Sequence, residues 1–148
     1  MNDATLEVIF LVANTAVLPA WLLLASAPAG GVTRRLVHSG LVPATLAVLY
    51  VVLLATAIGA GAIPSDADVT SLSGIRSLLA SPIAALAGWV HYLCFDLLAG
   101  AWIASDRLAR GGGRAALAPI LFLTLMAGPL GLLVHVLTRG AHTTPPRL

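Results

Sequence analysis

Four long apolar runs separated by short polar clusters organise this chain. They extend from about Leu6 to Ala27, Leu41 to Ile63, Pro82 to Ser105 and Ala115 to Thr138. A bilayer core about 30 Å thick is crossed by roughly 20 apolar residues in a helix, so each run predicts a membrane span. Ala25-Ser26-Ala27 has the look of a signal-peptide cleavage site. The acidic start (Asp3, Glu7) and the length of the run instead predict a retained helix. Pro64 ends the second run, and Asp66 and Asp68 open a polar connection over 64–81. Within it Leu72, Ile75 and Leu79 recur at helical spacing beside Ser71, Ser73 and Arg76, the pattern of a short amphipathic helix lying on a membrane surface. A Pro-containing tail follows Arg139. The expected fold is therefore one all-α membrane domain over 1–148, a four-helix transmembrane bundle with an interfacial helix between spans two and three.

Composition strengthens this reading. Soluble domains carry about 25% charged residues, whereas this chain carries 9%, with 59% hydrophobic residues and a mean hydropathy of +0.97. So few charges cannot wet the surface of a soluble domain, and a net charge of +2 argues against a nucleic-acid partner. All eight basic residues are Arg. With the abundance of Ala, Gly and Leu, this points to a GC-rich bacterial genome and a bacterial inner membrane. The single Cys94 allows neither an internal disulfide nor a cysteine metal cluster. Arg34, Arg35, Arg107, Arg110 and Arg114 are expected on one side, and Arg76, Arg139 and Arg147 on the other. The positive-inside rule then places the first group in the cytoplasm and both termini outside. Pro19-Ala20-Trp21 and Gly100-Ala101-Trp102 read as equivalent ends of spans one and three, through either a duplicated hairpin or a shared belt of interfacial tryptophans.

Candidate chemistry lies in the polar residues within the apolar runs, where ionisable groups are costly and tend to face a bundle interior. Asp96 is mid-span and must be protonated, paired or in a wet cavity. His91 lies five residues earlier, about 140° around the helix, so the two do not share a narrow face. With antiparallel spans three and four, His91 and His135 fall at similar depth, which Glu7 and Asn14 reach from span one. Glu7, Asn14, His91 and His135 are expected to line one cavity with Asp96 at its floor. Such a set suits acid–base chemistry, and equally a metal or haem; hydrogen-bonded structural groups are the plainer reading. Tyr50 is a further neutral polar candidate. Gly128-Pro129 is expected to kink the fourth span, because Pro removes a backbone bond and Gly128 and Gly131 permit close helix contact. No catalytic triad, phosphate-binding loop or HExxH zinc motif is present, and no cofactor follows from the residues.

Three stretches carry a family resemblance: LVANTAVLPAWLLLASAP from Leu11, WVHYLCFDLLAGAWIASD from Trp89 and FLTLMAGPLGLLVHVLTR from Phe122. Together they resemble the small membrane proteins typified by plant neoxanthin synthase, the abscisic-acid-deficient-four-like family. The most specific part is Trp89, His91, Phe95, Asp96, Leu97 and Asp106 with Gly128-Pro129 and Gly131. The resemblance implies a four-helix membrane protein needed for converting violaxanthin to neoxanthin, which opens an epoxide and forms an allene without net redox change. An acid must protonate the epoxide oxygen and a base must take a proton from the adjoining polyene carbon. On that reading Asp96 is the acid and His91 the base, with Glu7 and His135 as further candidates, and Asn14, Trp89, Tyr50 and Phe95 contact an apolar polyene or isoprenoid. The alternatives are a non-catalytic carotenoid- or lipid-holding accessory protein and a haem- or metal-binding helical bundle.

Overall fold

The computed structural model describes residues 1–111 and 113–139, except for the Arg114 side chain. Every regular element among them is helical: α1 (Asp3–Ser26), α2 (Gly31–Thr33), a π-helical turn (Arg34–His38), α3 (Leu41–Gly59), α4 (Leu72–Ala80), α5 (Pro82–Ala109), α6 (Arg114–Met126) and α7 (Gly128–Thr138). Three helical runs are long and apolar enough to cross a bilayer: Asp3–Ser26, Gly31–Gly59 and Pro82–Ala109. Their outward faces are also apolar, with Val8, Leu11, Leu22, Val48, Val51 and Ile58 exposed. A helix apolar all round suits a lipid environment.

Local chemistry sets the ends of these helices. The Asn2 side chain accepts from the Thr5 amide at 2.9 Å and caps α1. Ser71 does the same for α4 through the Gly74 amide at 3.0 Å. Pro82 starts α5, where a missing N–H costs no helical bond. The tip between α1 and α3, which carries Arg34 and Arg35, is helical. Thr33 bonds the Ala27 carbonyl at 2.6 Å. His38 bridges the Pro28 carbonyl (3.0 Å) and the Ser105 hydroxyl (3.2 Å), tying this connection to the end of α5. Gly40 turns the chain into α3 with φ of 82°, a left-handed conformation that favours glycine.

The central element is α5, which buries Leu86, Val90, Leu93, Leu97 and Ile103 against its neighbours. α1 runs parallel to it: Phe10 packs on Trp89 (ring centroids 5.8 Å apart), and further along Trp21 fills the space beside Gly100. α3 runs antiparallel. It starts beside the turn held to Ser105 and ends near Pro82, where Ala62 and Pro64 share a pocket with it. Trp21 is buried at 5% exposure, whereas Trp102 is 44% exposed. The two Trp segments thus sit at the same end of the bundle in different environments.

The fourth apolar run departs from the expected single span. At Ala127 (φ −158°, ψ 84°) the helix stops, and α7 restarts at Gly128-Pro129. The chain then folds back on itself. Met126 lies by Tyr92 and Gly128 by Asp96. His135 reaches Asp106 and Thr138 reaches Arg107. α7 therefore runs parallel to α5 and antiparallel to α6, and Gly131 lets α7 approach the Thr124 backbone. At 1.5 Å per residue the 13 and 11 residues of these helices span about 20 and 17 Å, short of a 30 Å core.

The fold-back corrects the expected distribution of charge and termini. Arg139 joins Arg34, Arg35, Arg107 and Arg110 at one end, here called the arginine end, instead of lying opposite them. At the other end Asp3, Glu7, Asp66 and Asp68 accompany Arg76. The described residues begin at Met1 and end at Arg139 at opposite ends of the bundle, whereas the four-crossing count puts residue 139 at the same end as residue 1. Arg147 and His142 lie outside the described residues.

Candidate functional site

One face of α5 gathers the central polar groups. Trp89, Tyr92 and Asp96 sit at i, i+3 and i+7, a spacing that stacks side chains along one helix face. Trp89 and Tyr92 stack with ring centroids 5.5 Å apart at 29°. The Trp89 indole N–H donates to the Asn14 side-chain oxygen at 3.2 Å, and the Asn14 amide donates to the Phe10 carbonyl at 2.7 Å. The Tyr92 hydroxyl faces the Met126 carbonyl at 3.4 Å and adjoins the Asp96 carboxyl.

Asp96 ends this row, and it is buried at 8% exposure. Its carboxyl lies against the Gly128 amide at the break between α6 and α7, where a Cβ at residue 128 would overlap it. The first turn of a helix has unpaired N–H groups that favour an acidic oxygen. The second oxygen, Oδ2, is buried without a well-formed hydrogen bond. An unpartnered, ionised carboxyl oxygen in a buried setting is costly, and a proton on that oxygen relieves the cost.

Two grooves follow α1 on either side of this row. The larger, about 520 Å³, lies between α1 and α5 and is lined by Glu7, Phe10, Leu86 and Trp89 among others. The second, about 280 Å³, lies between α1 and α6 and is lined by Leu18, Trp21, Leu22, Leu121, Phe122 and Leu125 among others. Asp3, Glu7, Phe10, Asn14, Leu18, Trp21 and Ala25 recur along α1 at intervals of three and four, so both grooves and Asn14 share one face of that helix. From Asp3 to Ala25 this face is about 33 Å long at 1.5 Å per residue.

The expected residues fall into three separate groups. Glu7 and Trp89 meet in the larger groove, with Asn14 bonded to Trp89. His91, Tyr50 and Phe95 form an aromatic cluster on the side of α5 that faces α3. The His91 ring lies 4.5 Å from Phe95 and 5.6 Å from Tyr50. His91 is exposed there and does not share a face with buried Asp96. His135 is fully buried at the arginine end, with Nε2 3.1 Å from Asp106 and Trp102 edge-on at 5.1 Å. Glu7, Asn14, His91 and His135 therefore do not line one cavity. The expected depth of His135 assumed that the fourth run crosses the bundle, and the break at Ala127 sends it the other way. His91 and the partner of His135, Asp106, stand about 22 Å apart along α5, which separates the two histidines of the expected metal or haem set. Among the described residues, no three His, Cys, Asp or Glu side chains gather into a metal-binding group.

Tyr92 was missed in the sequence, although its i−4 relation to Asp96 on a helix was available as a signal. The pairing of Asp106 with His135 depends on the fold-back of α7, so the sequence alone carries no signal for it.

Comparison with known proteins bears on this geometry. The family model described as ABA DEFICIENT 4-like matches residues 8–135. The chain is 29% identical over 136 residues to "Protein ABA DEFICIENT 4, chloroplastic" of Arabidopsis thaliana, covering 89% of this chain and 60% of that protein. No solved structure matches.

Proposed function

From the premise that the chain belongs to the ABA DEFICIENT 4-like family, we propose that it is an integral membrane protein acting on a carotenoid or related isoprenoid by acid–base isomerisation. The carrying observation is Asp96: a buried carboxyl with one unpartnered oxygen, beside the Tyr92 hydroxyl, at the end of a row that starts in an apolar groove. The ligand is a long linear polyene lying along the face of α1 that joins the two grooves. Trp89 offers it a flat apolar contact, and Asn14 holds the indole in place.

Protonated Asp96 supplies the proton, directly or through the Tyr92 hydroxyl, to an oxygen of the ligand. The resulting carboxylate accepts a proton from the neighbouring polyene carbon. A bond to oxygen opens, a carbon–carbon double bond forms, and the protein ends unchanged, so the step needs no oxidant or reductant. This reading moves the base role from His91 to Asp96 itself, because His91 faces α3. His91, Tyr50 and Phe95 then act as an aromatic contact surface, and Glu7 as a polar group at the mouth of the larger groove.

In the bilayer, α1, α3 and α5 cross, and α6 and α7 enter and return as a hairpin. The irregular backbone at the Ala127–Gly128 break is of the kind tolerated at membrane depth where protein covers it, and Gly128 is buried against Asp96. The positive-inside rule places the arginine end on the cytoplasmic side.

A second reading, a holding protein that presents the polyene to another enzyme, is favoured by one observation: Asp96 lines neither groove. The test is to incubate purified protein in lipid nanodiscs with epoxidised carotenoids and separate the pigments. An isomer formed by wild type and absent with Asp96→Asn supports catalysis. Stable binding with no isomer supports the holding role. Neither binding nor conversion ends both readings.

A further inference from the structure

Three buried side-chain nitrogen or oxygen atoms lack a hydrogen-bonding partner among the described residues: Asp96 Oδ2, Arg107 Nε and His135 Nδ1. The last two lie in one cluster at the arginine end, remote from Asp96. There the last turns of α5 and α7 meet, and Arg107 donates to the Thr138 hydroxyl at 3.0 Å. Arg110 pairs with Asp106 at 2.9 Å, and Arg139 lies over the Trp102 ring at 5.7 Å. Three guanidinium groups thus gather around the Asp106–His135 pair, with Arg110 on the carboxylate and Arg107 and Arg139 near the imidazole. Arg34 and Arg35 sit at the same end, and the other carboxylates are at the opposite end or, for Asp96, in the middle.

We propose that this cluster is a binding site for a phosphate-type oxyanion, supplied by the headgroup of an anionic phospholipid. Arg107 Nε is a buried donor that one phosphate oxygen satisfies. With the ring carrying both protons, His135 Nε2–H is given to Asp106 and Nδ1–H donates to P–O⁻. A charge-assisted bond to phosphate is worth more than a neutral one, and the excess of cations attracts the anion to this end. The headgroup is favoured over a free phosphate because the half-exposed Trp102, edge-on to His135 and under Arg139, adjoins the cluster and offers acyl chains an apolar contact beside it. Arginine clusters at the end of a helical bundle bind lipid headgroups in this way. The site is separate from the grooves and does not depend on what they bind.

The test is native mass spectrometry of the full chain in detergent, titrated with dioleoylphosphatidylglycerol or dioleoylphosphatidylcholine. Wild type is expected to retain the glycerol lipid in preference to the choline lipid. Arg107→Gln is expected to hold it about fivefold more weakly, while Arg76→Gln at the opposite end behaves as wild type. Arg107→Lys, which keeps the charge but loses Nε, is expected to fall between. If Arg107→Gln does not fold, the comparison of the two lipids on wild type and the Arg139→Gln variant still decides. Inorganic pyrophosphate serves as the soluble probe. If it binds without any preference between the lipids, the oxyanion site stands and its source is a free phosphate. Equal retention of both lipids with no binding of pyrophosphate overturns the proposal, as does undiminished binding by folded Arg107→Gln.

Discussion

The carboxyl of Asp96 occupies the space that a Cβ on Gly128 would need. A mid-helix acid on α5 and the restart of the chain at α7 therefore define each other. Gly128→Ala is predicted to push the carboxyl off the α7 amide and to destabilise the fold by about 1–3 kcal/mol, the usual cost of overpacking. A clear drop in melting temperature in detergent is expected. Gly31→Ala, where nothing lies within 4 Å of the added carbon, serves as the control and should leave it nearly unchanged. Equal melting for the two variants would show that Asp96 can move aside at no cost.

Asp96→Asn keeps the shape and hydrogen-bonding reach of the side chain but carries no acidic proton. Near-normal expression and melting are expected, with conversion of the native substrate lost. Tyr92→Phe removes the hydroxyl beside Asp96 while retaining the stack on Trp89, so turnover should fall more than ligand affinity. Full activity in Asp96→Asn would reduce the carboxyl to an interhelical packing group.

The fold-back of α7 makes a topology prediction. In a Cys94→Ser background, cysteines introduced singly at Gly113 and Arg139 should both react with an impermeant maleimide from the same side of the membrane. One at Asn2 should react from the other side, and one at Ala127 from neither. A continuous fourth span would instead expose positions 113 and 139 on opposite sides.

Asp68 anchors α4, the short helix between α3 and α5. Its carboxyl accepts from the Thr70 amide (2.7 Å) and hydroxyl (2.8 Å) and from the Ser71 amide (2.8 Å) and hydroxyl (2.9 Å). The Thr70 hydroxyl, the Ser71 hydroxyl and the Thr70 amide, in that order, hold its pKa below the ordinary 3.8. A lowered folded value means that the contribution is complete above 3.8 and is lost as pH falls through the folded value. Limited proteolysis of the 64–81 segment should accelerate only at strongly acidic pH in wild type. In Asp68→Asn it should be fast and independent of pH. Unchanged proteolysis in that variant at neutral pH would mean that α4 is held by its apolar face alone.

The amino-acid sequence by itself determined the features that depend on local chemistry. Apolar length placed α1, α3 and α5. The Leu72, Ile75 and Leu79 spacing placed α4, and the 100° helical step already put His91 and Asp96 on different faces. The matches over residues 8–135 agree with the family resemblance read from its motifs. Tertiary structure alone decided the path of the fourth run. Gly128-Pro129 is compatible with a kink or with a complete reversal, since both break the same backbone bonds. The choice rests on whether Asp96 and Thr124 can press against Gly128 and Gly131. Those contacts join residues on different helices, so no local pattern encodes them. The same choice moved His135 from the depth of His91 to Asp106, and moved Arg139 to the arginine end. A side chain's depth depends on the direction of the chain that carries it, and packing between helices sets that direction.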